Sequence, residues 1–145
     1  MSHWRKQQQQ DRFFRKAKAD GYRARSAYKL LQIQERFHLI HRGDVVLDLG
    51  AAPGSWSQVA AELVGPHGRV VALDLQEMEP IADVVVLQGD MTDLMVQDRI
   101  IDAVGGQADV VLSDAAPSTT GIKLRDHVLS MELIRAALAV AEEIL

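Results

Sequence analysis

The sequence has 145 residues, 16.0 kDa, of which 48% are hydrophobic, and it carries a formal net charge of -4. That length and composition suit one folded domain with a real core. With no cysteine it can form no disulfide framework, thiolate zinc site or iron–sulfur cluster, and no apolar run approaches the ~20 residues of a membrane span.

The charge is unevenly spread. Residues 1–29 hold nine Lys/Arg and two Asp, and the remainder holds seven Lys/Arg and eighteen Asp/Glu. Residues 1–20 are polar and cationic, include a four-glutamine run, and read as a flexible arm; residues 21–145 read as the folded domain. Arg12, Arg15, Lys16, Lys18, Arg23 and Arg25 interleave with Phe13, Phe14 and Tyr22, with Trp4 upstream. Cations that neutralise phosphates beside rings that stack on bases make the composition of a nucleic-acid contact. The alternative is a solvated charged tail. The opening MSHWRKQQQQ lacks the apolar region of a signal peptide, and the absence of cysteine is compatible with a reducing cytoplasm; a cytoplasmic location is expected, with an Arg-rich organellar transit peptide as the alternative.

A helix is predicted over residues 26–37, with Ala27, Leu30, Leu31, Ile33 and Phe37 on one apolar face and Arg25, Lys29, Gln32 and Arg36 on the polar one. On pattern alone Lys29 reads as a solvated lysine. Val45 to Leu49 is aliphatic but for Asp48, as expected of a parallel strand covered on both faces. Gly50 and Gly54 then bracket a turn, and a helix is predicted from about Ser55, its free N–H groups facing back over the end of the strand. Open α/β sheets bind ligands in that crevice.

Arg69 to Asp74 is a second predicted strand, and Asp74 lies twenty-four residues after Gly50, where an acid can accept both hydroxyls of a ribose. Only nine residues, Leu75 to Asp83, precede the third strand at Val84 to Leu87, so one helical turn at most is expected near residues 79–82. Asp90 follows that strand, within reach of an adenine amino group in a nucleoside-filled crevice. Thr92 or Asp93 is expected to cap a helix over residues 94–104, which Gly105 and Gly106 stop. Residues 108–113 form the fourth predicted strand, ending at Asp114. Residues 118–125 read as a loop over the site and residues from about 129 as a last helix, within which the sequence stops; an incomplete C-terminus is expected.

Asp74, Asp90 and Asp114 thus fall at or just past the carboxyl ends of three strands beside the glycine turn, the geometry of a nucleoside site. The sequence has neither G-x-x-x-x-G-K-[ST] nor G-x-G-x-x-G, so a cofactor without pyrophosphate fits better, and a sulfonium suits an acidic crevice.

These motifs together carry a family resemblance. DLGAAPGSWSQ from Asp48, ALDL around Asp74, LQGD at Asp90, LSDAAPSTTG from Ser113 and RSAYKL from Arg25 resemble the RrmJ/FtsJ family of ribosomal RNA ribose 2′-O-methyltransferases. Ser55, where a second glycine is common, and Ser118, where Asn is common, depart from its pattern.

The resemblance implies a Rossmann-like α/β methyltransferase fold, a mostly parallel doubly wound sheet whose last strands are missing here. It implies S-adenosylmethionine as cofactor, no metal, and a substrate uridine of large-subunit ribosomal RNA, met by a monomer with no membrane partner. It assigns Gly50, Gly54 and Trp56 to the cofactor pocket, Asp74 to the ribose, Asp90 to the adenine, and Lys29 and Asp114 to a Lys–Asp–Lys–Glu tetrad around the target hydroxyl, with Asp114 also facing the cofactor. The second Lys and the Glu would lie beyond residue 145. Two rivals remain at this stage: a methyltransferase for a non-RNA substrate, and a catalytically inactive module that binds cofactor and RNA.

Overall fold

The computed structural model describes residues 19–113. In chain order these form α1 (Ser26–Phe37), β1 (Val45–Leu49), α2 (Ser55–Val64), β2 (Arg69–Asp74), β3 (Val84–Gln88), α3 (Leu94–Val104) and β4 (Val110–Ser113). The arm before residue 19, and the loop and last helix expected after residue 113, lie outside the described residues.

The four strands form one parallel sheet in the order β3-β2-β1-β4, which puts the strand before the glycine turn inside the sheet, as its aliphatic run predicts. Register carries Leu49 beside Leu73 and Ser113, and Asp74 beside Gln88, so the carboxyl ends of all four strands share one edge.

Successive strand residues point to opposite faces, and both faces are buried. Leu47, Leu49, Val71 and Leu73 pack with Met91, Val96, Ile100 and Val104 beneath α3. Val46, Val70, Val110 and Leu112 pack on the other face with Ala27 and Leu30 of α1 and Trp56, Val59, Ala60 and Val64 of α2. Removing a large side chain from such a core costs about 2–5 kcal/mol.

The helix ends follow local chemistry. Asp93, not Thr92, caps α3: its Oδ1 accepts from the Met95 amide at 2.9 Å, and Gly105 stops the helix in the left-handed region at φ 79°. α1 ends at His38, with φ 48°, and both ends of the Gln34 amide bond the backbone of Ile40, at 2.7 and 2.9 Å. Ile40 is thereby folded back into the core.

One expectation needs correction. Phe37 does not share the buried face of α1: it is 65% exposed, with the Arg36 guanidinium 5.3 Å from its ring centroid. The apolar stripe runs through Phe37 in sequence, but the chain turns away at the next residue. Residues 75–83 keep to the expected limit of one helical turn at most: a loop without helix joins two parallel strands, shorter than the usual dozen or more residues of such a crossover.

Candidate functional site

The crevice is built from the turn after β1 and the loop after β2. At Gly50, φ is 70°, and the amides of Gly50 and Ala51 both donate to the Leu73 carbonyl, at 2.9 and 3.0 Å. This directs the Ala52 amide onto Asp74 Oδ2 at 2.9 Å, while Asp74 Oδ1 accepts from the Gln76 amide at 2.8 Å. One carboxylate thus joins the two walls. Each oxygen has a second lone pair, and Asp74 is half-buried, so its outer side can still accept hydrogen bonds.

The Gly89 amide donates to the Asp74 carbonyl at 3.0 Å, which brings the start of the β3–α3 loop alongside. Asp90 follows, exposed, with Oδ1 accepting from the Thr92 amide at 2.9 Å and the Thr92 hydroxyl at 2.7 Å. The backbone bond first and the hydroxyl second hold the Asp90 carboxyl below its ordinary range. Next to Asp74 in the chain, Leu75 leaves 63% of its surface exposed.

A third carboxylate lies deeper. Asp48 is 1% exposed and accepts from the Ser57 hydroxyl at 2.7 Å. It lies on the α2 face of β1 and, with Gly50, Ala51, Ser55 and Trp56, lines a cavity of about 40 Å³. Sequence reasoning gave Asp48 no role; an acid inside an aliphatic strand was the available signal, because such a charge is buried only with partners.

The helix carrying Lys29 is fastened to this turn. The Trp56 indole N–H donates to the Ser26 carbonyl at 2.8 Å, and the Ser26 and Ser55 hydroxyls are 2.6 Å apart. Ser55, the departure from glycine, therefore has a structural use. Lys29 is exposed, its Nζ 5.9 Å from the centroid of the Trp56 ring. Trp56 itself is 8% exposed and belongs largely to the core.

The two glycines of the turn serve different ends. A Cβ on Gly54, at φ 110°, would stand 2.6 Å from Ile81 Cδ1 and 3.5 Å from two atoms of Arg23. It is this chain's own Ile81 side chain that needs the space. Arg23 lies in the described structure with its guanidinium donating to the carbonyls of Pro53, Glu79 and Pro80, at 3.1, 2.8 and 2.6 Å. Arg25 is exposed at the start of α1. Asp114, Arg12, Arg15, Lys16 and Lys18 lie outside the described residues. Among the described residues no group of three or more His, Asp or Glu could hold a metal ion, and no helix is long and apolar enough to cross a membrane.

The pattern shared with known proteins decides the family, since the FtsJ-like methyltransferase profile matches residues 22–145. The chain belongs to the FtsJ-like methyltransferase family. The ribosomal RNA large subunit methyltransferase E of Methanothrix thermoacetophila is 56% identical over 137 residues, which cover 94% of this chain and 53% of that protein. The protein of that name from Methanothermobacter thermautotrophicus is 49% identical over 144 residues, covering 98% and 68%. The chain thus spans about half the length of the first relative and about two thirds of the second. Among solved structures, a ribosomal RNA methyltransferase from Plasmodium falciparum superposes with a TM-score of 0.72 at 28% identity, over 86% of this chain and 73% of that one. The methyltransferase MycE of mycinamycin biosynthesis shares the fold alone, with a TM-score of 0.53 at 20% identity over 83% of this chain and 30% of that one. The FtsJ-like fold is therefore the Rossmann-like methyltransferase architecture expected from the sequence.

Proposed function

We propose that this chain is the S-adenosylmethionine-binding core of an enzyme that methylates a ribose 2′-hydroxyl, that of a uridine, in large-subunit ribosomal RNA. The observation that carries this reading is the Asp74 carboxylate, held by the Ala52 and Gln76 amides at the carboxyl edge of a parallel sheet with Asp48 and Asp90 nearby. The residues fit the cofactor. Lone pairs remain on Asp74 for a ribose diol, the exposed Leu75 offers an apolar surface for a base, and the carboxylates suit a sulfonium. Gly50, Gly54 and Trp56 shape the pocket, and Asp90 and Asp114 complete it toward the adenine and the reacting end. When bound, the cofactor supplies an electrophilic methyl group.

The protein must then align an alcohol oxygen with that methyl and help remove its proton. Alignment makes the displacement effectively intramolecular, and assisted proton removal contributes about 10²–10⁴-fold. Lys29 stands on a helix pinned to the glycine turn through Ser26, where its amine can take the hydroxyl proton or, if charged, stabilise the developing alkoxide. Asp114 is assigned to orient the ribose and Lys29. The relatives named as methyltransferases of the large ribosomal subunit support this substrate. So does the cationic arm, with Arg12, Arg15, Lys16, Lys18 and Arg25 as phosphate contacts. The enzyme works as a cytoplasmic monomer on this RNA within the large subunit.

Calorimetry with S-adenosylmethionine tests the cofactor, and mass spectrometry of nucleosides from treated large-subunit RNA tests the reaction. Binding by this chain is expected and, with the full-length enzyme, a 2′-O-methylated uridine that is lost in Lys29→Met. No binding by the folded protein overturns the cofactor assignment. Binding with methyl transfer only to a non-RNA acceptor overturns the substrate.

A further inference from the structure

We propose that Arg23 is a positioning residue for the cofactor, a strut that sets the spacing of the two crevice walls, and not a phosphate ligand. Its guanidinium reaches the Pro53 carbonyl on the glycine turn and the Glu79 and Pro80 carbonyls on the β2–β3 loop. Three of its five N–H donors are thus committed to backbone carbonyls of this chain.

Arg23 is held at its other end too. Its amide donates to Gln58 Oε1 at 2.9 Å, and Gln58 Nε2 donates to the Gly21 carbonyl at 3.1 Å. The Tyr22 hydroxyl adds a bond to Glu62 at 2.9 Å. Gln58 and Glu62 both belong to α2, so the backbone beneath the strut is fixed to the helix that follows the glycine turn. The Arg23 side chain passes alongside Gly54, 3.5 Å from where a Cβ there would stand. With Ala52, Pro53, Gln76, Met78 and Glu79, Arg23 lines a cleft of about 550 Å³.

The same two walls are joined twice. Asp74 ties Ala52 to Gln76, and Arg23 ties the neighbouring Pro53 to Glu79 and Pro80. Asp74 is the tie assigned to meet the ligand; Arg23 is the tie behind it. Without the strut the Ala52 and Gln76 amides lose the spacing that orients the Asp74 carboxylate, so affinity falls although the Arg23 guanidinium bonds Pro53, Glu79 and Pro80 and not Asp74. Lysine cannot replace it, because a compact ammonium does not span three carbonyls as a planar fork does.

The inference rests on the cofactor assignment above, and the test separates the two. Arg23→Lys and Arg23→Gln are compared with the unsubstituted protein by calorimetry with S-adenosylmethionine, by RNA binding at two salt concentrations and by the amide NMR shifts of Ala52 and Gln76. About tenfold weaker cofactor binding in both variants is expected, with moved Ala52 and Gln76 resonances and an unchanged salt dependence of RNA binding. Should Arg23→Gln unfold, Arg23→Lys, which keeps the charge and stem, is read alone. Unchanged cofactor affinity overturns the inference, as does a salt slope shallower by about 0.7–0.9, the signature of one lost phosphate contact. Failure of the unsubstituted protein to bind cofactor overturns the cofactor assignment instead.

Discussion

The indole N–H of Trp56 donates to the carbonyl of Ser26 at 2.8 Å, so the helix bearing Lys29 starts against the ring that follows the glycine turn. Trp56→Phe keeps a ring beneath Lys29 but removes the indole donor, leaving the Ser26 carbonyl only its bond within the helix. A stability loss of about 0.5–1.5 kcal/mol is expected from the lost hydrogen bond. Because Lys29 also loses its reference to the turn, methyl transfer is expected to fall more than cofactor affinity. Urea unfolding and single-turnover kinetics check the two effects.

Asp74 meets the cofactor in this reading through hydrogen bonds to a charged acceptor, worth about 1.5–3 kcal/mol each. Asp74→Ala is expected to weaken S-adenosylmethionine binding by roughly 10- to 100-fold or more, measured by calorimetry. Asp74→Asn keeps one acceptor oxygen and should fall between the two. Equal affinity in all three proteins would remove Asp74 from the site.

Ser57 is the donor to a carboxylate that is 1% exposed. Ser57→Ala leaves Asp48, almost wholly buried, with one partner fewer. A destabilisation of about 1–3 kcal/mol is expected in urea unfolding. The double variant Asp48→Asn with Ser57→Ala should lose less than the sum of the single ones, since the two side chains share one interaction.

Gly54 combines a φ of 110° with an Ile81 methyl 2.6 Å from where a Cβ would stand. Gly54→Ala is therefore expected to cost about 1–3 kcal/mol from backbone strain, with displacement of Ile81 in addition. Gly43, whose φ is 85° with open space around its Cβ position, is the comparison: Gly43→Ala bears the strain without the collision. Urea midpoints should rank Gly54→Ala below Gly43→Ala.

The depressed Asp90 carboxyl sets an acid limit. A folded-state pKa below the unfolded one adds stability that is complete above the unfolded value, near ~3.9, and is lost as pH falls through the folded value. The β3–α3 turn should therefore hold at neutral pH and loosen only at strongly acid pH. Thr92→Val removes the hydroxyl donor and keeps the larger backbone contribution, so the Asp90 pKa should rise part of the way to its ordinary range. Carboxyl NMR titration of the two proteins reads this directly.

Most of the fold was legible because single residues spoke for it. Aliphatic residues at both odd and even positions of residues 45–49 and 69–74 announced strands covered on two faces. Asp93 and Gly105 marked both ends of α3. The placement of Gly50, Asp74 and Asp90 at the carboxyl edge of the sheet was legible where a motif met a strand end. What stayed hidden depended on partners distant in sequence. Asp48 looked like part of a strand until Ser57 closed on it, and Arg23 looked like one more cation of a basic arm. Its three carbonyls belong to residues thirty to fifty-seven positions away, and no local pattern reports on them. Phe37 failed for the opposite reason: the pattern was present, but the chain left the helix before it could be covered.

The bare connection between β2 and β3 makes Arg23's role possible. In a helix the carbonyls of residues 79 and 80 would already accept from amides four positions on, leaving a guanidinium only their second lone pairs. Relatives that insert a helix at this crossover should therefore have lost the arginine, and those that keep the short loop should have kept it. The two features ought to be inherited as a pair, which makes the length of an unremarkable loop a marker for how the cofactor crevice is braced.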